Sequence, residues 1–189
     1  MFESYGGKRA IARRLWTPVE VVLSRRRRFI QPLDAPARRL VFVCAGNTCR
    51  SPFAEHFART VGASSASMGL TAADGTAADP VATTHARSWG IDLRSHVARR
   101  FAVARCLPGD LVLAFELVHA ERLESLLRGR GVTVRLLGAY ASPFLYHQHD
   151  PYGLADTYFH HCFDGIARSI KAMIKTMPKL AAEVPKCES

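Results

Sequence analysis

The stretch that decides the fold is Val41-Phe-Val-Cys-Ala-Gly-Asn-Thr-Cys-Arg-Ser-Pro52. Its β-branched and aromatic start predicts a buried strand that ends at Cys44. A short polar loop follows, and Arg50 to Pro52 is typical of the first turn of a helix. Loop amides and the positive end of the helix dipole would then point at the same place, which favours anion binding. We therefore predict a phosphate-binding loop after the first strand.

This loop contains both a nucleophile and a permanent cation. A thiol at Cys44 would lie at the base of the ring of amides, where its thiolate form is favoured. The planar guanidinium of Arg50 matches two phosphate oxygens, and Ser51 can donate a hydrogen bond to the thiolate. We expect positive φ angles at Gly46 and Asn47. The predicted phosphate-binding residues are Ala45, Gly46, Asn47, Thr48, Cys49 and Arg50.

The loop resembles that of the low-molecular-weight protein tyrosine phosphatases, which have an arsenate-reductase-like fold and a Cys-x-Gly-Asn-x-Cys-Arg-Ser-Pro loop. Segments 54–55, 67–69, 95–99, 136–138 and 149–153 also resemble this family. The resemblance covers about residues 39–179, whereas residues 1–38 have no counterpart in it. It implies an enzyme without a metal or cofactor that hydrolyses phosphotyrosine in a phosphorylated protein through a cysteinyl-phosphate intermediate. Bacterial members often act on tyrosine kinases of exopolysaccharide synthesis.

The resemblance also implies catalytic and substrate-binding roles outside the loop. The family's Asp-Pro-Tyr segment is present at 150–152, so Asp150 is the expected general acid. Tyr152 would line the substrate pocket together with Thr48. The segment 70–79, where some members have an aromatic wall, contains no aromatic residue here.

Three supporting roles follow from the same resemblance. Ser67 and His96 would hold Asn47 in the loop. Cys49 would form a reversible disulfide with Cys44, which would protect the thiolate from irreversible oxidation.

Other functions remain open at this point. Thr48, followed later by the small residue Gly153, also resembles the phosphoarginine phosphatases of the same family. A thioredoxin-coupled arsenate reductase would need two further cysteines about seven residues apart, but the remaining cysteines are Cys106, Cys162 and Cys187. A non-catalytic phosphate-binding module is the last alternative, and the presence of Cys44, Arg50 and Asp150 argues against it.

Hydrophobic periodicity predicts an α/β fold with a four-stranded parallel sheet and helices on both faces. Strands are predicted at 39–43, 65–68, 110–115 and 132–136, and helices at 51–61, 80–89, 118–127 and 155–177. In the last helix, Phe159, Phe163, Ile166, Ile170 and Ile174 form a stripe that should face the core. We expect the catalytic domain to span 39–180, with a C-terminal tail at 181–189.

The charge of the chain is concentrated at its N-terminus. Residues 1–40 contain ten Lys and Arg against three acids, which gives +7 of the total +10. We expect 1–38 to be a flexible or partly helical extension that catalysis does not need. It is either solvated or contacts an anionic membrane or protein, and without a nucleic-acid-binding module we expect no nucleic acid partner.

Two further expectations concern location and metal binding. No apolar run approaches the roughly 20 residues of a membrane span, and a reactive thiolate needs a reducing compartment, so a cytoplasmic location is predicted. Four histidines could serve as metal ligands: His147, His149, His160 and His161. We nevertheless predict no metal, because a cysteine phosphatase needs none and a cation would quench the nucleophile. His149 is instead expected to tune Asp150.

Overall fold

A four-stranded parallel sheet forms the centre of the protein, in a computed structural model that describes residues 25–33, 36–145 and 147–177. The strands are β1 (Arg39–Cys44), β2 (Ser65–Gly69), β3 (Asp110–Ala114) and β4 (Thr133–Leu136), in the order β2-β1-β3-β4. β1 and β3 are apolar along almost their whole length because both of their faces are covered. The predicted α/β fold with a parallel sheet is confirmed.

In the part of the chain that the structure describes, the strands alternate with four α-helices. These are α1 (Arg50–Thr60), α2 (Pro80–Arg87), α3 (Leu117–Leu127) and α4 (Asp156–Thr176). Each predicted helix and strand is present, with its ends within two residues of the prediction. Local signals in the sequence set these ends, as the start of α2 illustrates. Asp79 Oδ1 accepts a hydrogen bond of 2.8 Å from the amide of Ala82, and Pro80 occupies the first turn.

Helices cover both faces of the sheet and produce two apolar layers. On one face Leu40 and Phe42 pack with α1, α2 and α4. The rings of Phe53 in α1 and Phe163 in α4 stack there at 4.0 Å between centroids. The predicted stripe on α4 faces this layer, with Ile174 partly buried and the other four residues buried. On the opposite face Val41 and its neighbours pack against α3.

A 3₁₀-helix at Arg25–Ile30 completes the second apolar layer. Phe29 has no exposed surface and packs with the core side chains of β1, β3 and α3. Arg26 Nε lies 2.7 Å from Glu121 Oε1, and Arg28 binds the Glu124 carboxylate through two hydrogen bonds of 2.5 and 2.6 Å. Part of the segment assigned to the N-terminal extension is therefore packed on the domain, because its one buried aromatic side chain fills the core. Residues 1–24 and the predicted tail lie outside the described residues.

The order of the strands places the site at the carboxyl ends of β1 and β3. The chain leaves β1 towards β2 on one side and reaches β3 on the other, so a crevice opens between the two central strands. Cys44 ends β1 there, and β3 ends at Ala114 beside it. Among the described helices, none is long and apolar enough to cross a membrane.

Candidate active site

Cys44 lies at the base of the loop that joins β1 to α1. Its Sγ is buried, accepts a hydrogen bond of 3.2 Å from the amide of Asn47 and lies 3.0 Å from Ser51 Oγ. Asn47 adopts the predicted left-handed conformation with φ of 56°, whereas Gly46 has no positive φ, contrary to our expectation. One left-handed residue is enough to bend the loop, and asparagine tolerates that conformation when its side chain is hydrogen bonded locally.

The Asn47 side chain orders the hydrogen bonds around the sulfur. Its Oδ1 accepts a hydrogen bond of 2.8 Å from the amide of Arg99, which fixes the orientation of the carboxamide. Nδ2 then donates to Ser51 Oγ at 2.8 Å and to Ser67 Oγ at 2.9 Å. Because Ser51 Oγ accepts from Asn47, its own proton is available for the sulfur of Cys44.

Two more side chains support the same asparagine. Ser67 Oγ donates a short hydrogen bond to the carboxylate of Glu55, which leaves its lone pairs for Asn47 Nδ2. His96 Nε2 lies 2.9 Å from the Asn47 carbonyl oxygen, so this nitrogen carries a proton. Burial lowers the pKa of His96, which favours the neutral ring. Sequence reasoning had not identified Glu55, although a carboxylate on the core-facing side of α1 was a signal for it.

The guanidinium of Arg50 is buried, and two hydrogen bonds hold its Nη1 end. Nη1 donates to Glu116 Oε1 at 2.6 Å and to the Gln148 carbonyl at 2.8 Å. Nε and Nη2 lie on the other edge, are buried and make no hydrogen bond to a described residue, although Nη2 forms an ion pair with Asp150. That pair of donors matches two phosphate oxygens. Burial alone would lower the pKa of Arg50, but the charges of Asp150, Cys44 and Glu116 raise it above its usual value.

Asp150 approaches the same edge of Arg50 from the loop after β4. Its Oδ2 lies 2.7 Å from Nη2, and its side chain is about one third exposed, at 36%. The amide of Tyr152 lies 3.3 Å from Asp150 Oδ1, and the Tyr152 ring is largely exposed. A phosphate that binds to Nη2 would therefore compete with this carboxylate and release it towards the leaving group.

Glu116 is the largest omission of the sequence reasoning. It follows β3 by two residues, and its carboxylate faces three partners. Oε1 contacts Arg50 and lies 4.0 Å from His119 Nδ1, while Oε2 lies 3.9 Å from His147 Nε2. Burial would raise the pKa of Glu116, but Arg50 outweighs that effect and keeps it below its usual value. A carboxylate at the end of a buried strand beside β1 was the signal that could have found it.

Thr48 and Cys49 occupy the outer part of the loop. Thr48 is half-buried, and its carbonyl accepts a hydrogen bond of 3.0 Å from the amide of Asp79. The end of segment 70–79 therefore contacts the loop. Cys49 is buried and free, and burial raises its thiol pKa above the usual value. The disulfide between Cys49 and Cys44 remains a prediction.

The other cysteines and histidines are divided between the core, the surface and the site. Cys106 lies in the apolar layer on the α3 face, and Cys162 lies on α4, where burial raises its pKa to about 12. The two α4 histidines, at 160 and 161, are exposed. His147 and His149 instead join Glu116, with one ligand atom from each residue and all three atoms within 4.8 Å of one another.

The site combines a buried thiol that accepts a hydrogen bond from a loop amide, an arginine that can bind phosphate and a neighbouring carboxylate. This combination characterises cysteine-dependent phosphatases. Residues 39–184 match the model of the low molecular weight phosphotyrosine protein phosphatase family. The chain belongs to this family and is a phosphoric monoester hydrolase.

Individual relatives agree with this family. The low molecular weight protein-tyrosine-phosphatase Wzb of Salmonella typhi is 35% identical over 106 residues, which are 55% of this chain and 71% of that protein. The crystal structure of the Erwinia amylovora tyrosine phosphatase AmsI superimposes with a TM-score of 0.70 at 25% identity, over 78% of this chain and 97% of that one. The YwlE arginine phosphatase, in a cysteine-to-serine mutant with a phosphorylated active-site serine, has a TM-score of 0.68 at 26% identity, over 75% of this chain and 96% of that one.

Proposed function

We propose that this protein hydrolyses phosphotyrosine in phosphorylated proteins through a phosphoryl group carried on Cys44. The observation that carries the proposal is the state of Arg50: Nε makes no hydrogen bond to a described residue, and Nη2 has an ion pair with the partly exposed Asp150, which a phosphate can displace. The guanidinium is held from behind by Glu116 and Gln148, so its open edge is preorganised for the phosphoryl oxygens.

In the first step, the Cys44 thiolate attacks phosphorus. A sulfur–phosphorus bond forms and the bond to the ester oxygen breaks. The loop amides and Arg50 stabilise the charge on the equatorial oxygens. Asp150, displaced from Nη2 by the phosphate, takes up a proton before reaction and gives it to the leaving phenolate.

In the second step, water replaces the sulfur. Asp150 removes a proton from the water, whose oxygen bonds to phosphorus as the sulfur–phosphorus bond breaks. Inorganic phosphate leaves, and Cys44 returns as a thiolate that accepts the hydrogen bonds of Ser51 and the Asn47 amide. The side chains of Cys44, Arg50 and Asp150 thus serve both half-reactions.

An aromatic substrate fits the rim of the site. Tyr152 is 68% exposed and follows the acid by two residues, so its ring can stack on the phenol of a phosphotyrosine. We propose a bacterial tyrosine kinase of exopolysaccharide synthesis as the physiological substrate. This proposal is supported by family membership and by the tyrosine phosphatases among the relatives.

Phosphoarginine is the second candidate substrate. Thr48 is a small, half-buried side chain at the outer edge of the loop, where a larger aliphatic residue would narrow the pocket. The similarity to the YwlE arginine phosphatase is comparable to the similarity to AmsI, so these likenesses do not favour one substrate over the other.

Kinetics on phosphotyrosine and phosphoarginine peptides of the same sequence would test both candidates. We expect hydrolysis of the phosphotyrosine peptide and a phosphorylated Cys44 in rapidly quenched samples examined by mass spectrometry. Cys44→Ser should bind the peptide without turnover, and Cys106→Ser is the matched control with normal rates. Thr48→Ile should depress any phosphoarginine hydrolysis and spare phosphotyrosine. A wild type that hydrolyses only phosphoarginine would overturn the preferred substrate.

We also propose a cytoplasmic location and a contact between the basic segment 1–38 and an anionic membrane or protein. Arg26 and Arg28 are paired with acids of α3, so the attraction would come from the other basic residues of this segment. Sedimentation with phosphatidylserine vesicles at low and high salt tests the contact, since attraction of about 1 kcal/mol per basic residue near the surface is screened by salt.

A further inference from the structure

A second group of side chains adjoins the phosphate site and shares Glu116 with it. Glu116, at the end of β3, faces His147 and His149 of the loop after β4, with one ligand atom from each residue and all three atoms within 4.8 Å of one another. The rings of the two histidines lie 5.7 Å apart between centroids. The His147 side chain is 3% exposed, so the group is largely shielded from solvent.

These three groups suit a divalent transition-metal ion. Two imidazoles and one carboxylate form a common three-ligand set for Zn²⁺, which leaves a fourth position for water. His149 Nδ1 is buried and has no hydrogen-bond partner among the described residues. The Glu116 oxygen nearer His147 is Oε2, which is not the oxygen hydrogen bonded to Arg50. The three ligand atoms already lie within 4.8 Å of one another. Small rotations of the side chains would bring them close enough to bind one ion.

The charges near the group also permit a dication. Arg50 is positive, but the carboxylates of Glu116 and Asp150 both lie within 2.7 Å of its guanidinium. The anions of the site therefore exceed its one buried cation before any phosphate or metal ion binds. This excess offsets the repulsion between Arg50 and a nearby metal ion.

We propose that Glu116, His147 and His149 bind Zn²⁺ and that the bound ion inhibits the phosphatase. A dication on Oε2 withdraws negative charge from the Glu116 carboxylate and weakens its pair with Arg50, so Nη1 depends more on the Gln148 carbonyl. The ion also fixes His149, the neighbour of Asp150, and thereby restrains the movement of the acid away from Arg50. The inhibitory half of the proposal rests on the proposed function, whereas the binding half does not.

Binding is tested in the inactive Cys44→Ser protein, which removes the nucleophile as a competing zinc ligand. Calorimetric titration with Zn²⁺, after treatment with a chelator and dialysis, should show one site. Adding His149→Gln or Glu116→Gln should weaken that site by at least about tenfold, as loss of even an outer-shell partner of a metal site can. The matched control is His160→Gln with His161→Gln, which removes the exposed histidine pair of α4 and should leave the site unchanged. Zinc binding that survives both His149→Gln and Glu116→Gln would overturn the assignment, as would no binding at all.

Inhibition is tested with Cys44 intact, on p-nitrophenyl phosphate, with each variant compared with its own metal-free rate. Zn²⁺ should inhibit the wild type and the α4 control equally, and His149→Gln should need at least about tenfold more Zn²⁺ for the same inhibition. Equal zinc sensitivity of wild type and His149→Gln would overturn the inhibitory role and place the ion on the thiolate. Failure of the phosphatase assay without metal would refute the proposed function instead, and the calorimetry would still decide the site.

Discussion

Oε1 of Glu116 lies 2.6 Å from Nη1 of Arg50, so a residue that follows β3 fixes the cation of a loop that follows β1. This contact holds the Nη1 end of the guanidinium, so a phosphate can reach Nε and Nη2 once it displaces Asp150. Glu116 does not itself meet the substrate phosphoryl group in this arrangement. It acts by positioning Arg50 and by balancing its buried charge.

Glu116→Gln should therefore lower kcat/KM for p-nitrophenyl phosphate by roughly 10- to 100-fold, because a buried charge pair loses one partner while its shape is kept. The loss should appear in phosphate affinity as well, measured by inhibition with inorganic phosphate. Glu124→Gln is the matched control, since it breaks the more exposed pair with Arg28. If both variants kept wild-type kinetics, the positioning role of Glu116 would be wrong.

Asp150→Asn should slow formation of the phosphoenzyme by roughly 100- to 10,000-fold when the leaving group is poor. Phenyl phosphate needs protonation of its oxygen more than p-nitrophenyl phosphate does, so the ratio of the two rates should change. Stopped-flow or single-turnover measurements would show this. Phenyl phosphate hydrolysis at the wild-type rate would remove Asp150 as the acid.

Gly69→Ala should disturb the phosphate-binding loop from behind. A Cβ on Gly69 would lie 2.6 Å from the Ala45 carbonyl oxygen and 2.7 Å from the Asn47 nitrogen, both of which are backbone atoms that cannot rotate away. We expect a loss of stability of about 1–3 kcal/mol and a roughly 100-fold fall in kcat/KM from misplacement of the loop. Ala66→Ser, on the same strand, is the control that should change neither quantity. A crystal structure of the variant with an undisplaced loop would contradict this explanation.

Phe29→Ala should destabilise the domain by about 3–5 kcal/mol, because it empties a fully buried position between the sheet and α3. A chain that begins at Arg25 is the matched reference, because it keeps Phe29 and the ion pairs to Glu121 and Glu124. A chain that begins at Pro36 should melt at a lower temperature, since it lacks Phe29 and the ion pairs to Glu121 and Glu124. Equal denaturation midpoints for these two chains would show that the segment contributes nothing to stability.

The sequence by itself determined the order of strands and helices and the kind of loop that joins the first pair. Alternation of apolar runs with turn residues reports local structure, because the two periodicities of strand and helix are properties of short segments. The segment around Cys44 also brought its nucleophile, cation and amides together, since all of them lie within a few consecutive residues. Likewise, the spacing of apolar residues in α4 predicted a stripe that faces the core, and the structure confirms it.

The tertiary structure alone decided which distant residues complete the site. Glu116 reaches Arg50 across 66 positions of the chain, and Phe29 reaches the sheet from a segment whose basic composition predicted a separate extension. Strand order places the carboxyl ends of β1 and β3 side by side, and nothing in the local pattern of either strand states which neighbour it will have. The same limit applies to His147, His149 and Glu116. Their convergence depends on pairing between strands and on packing of loops, which are non-local interactions of the whole folded chain.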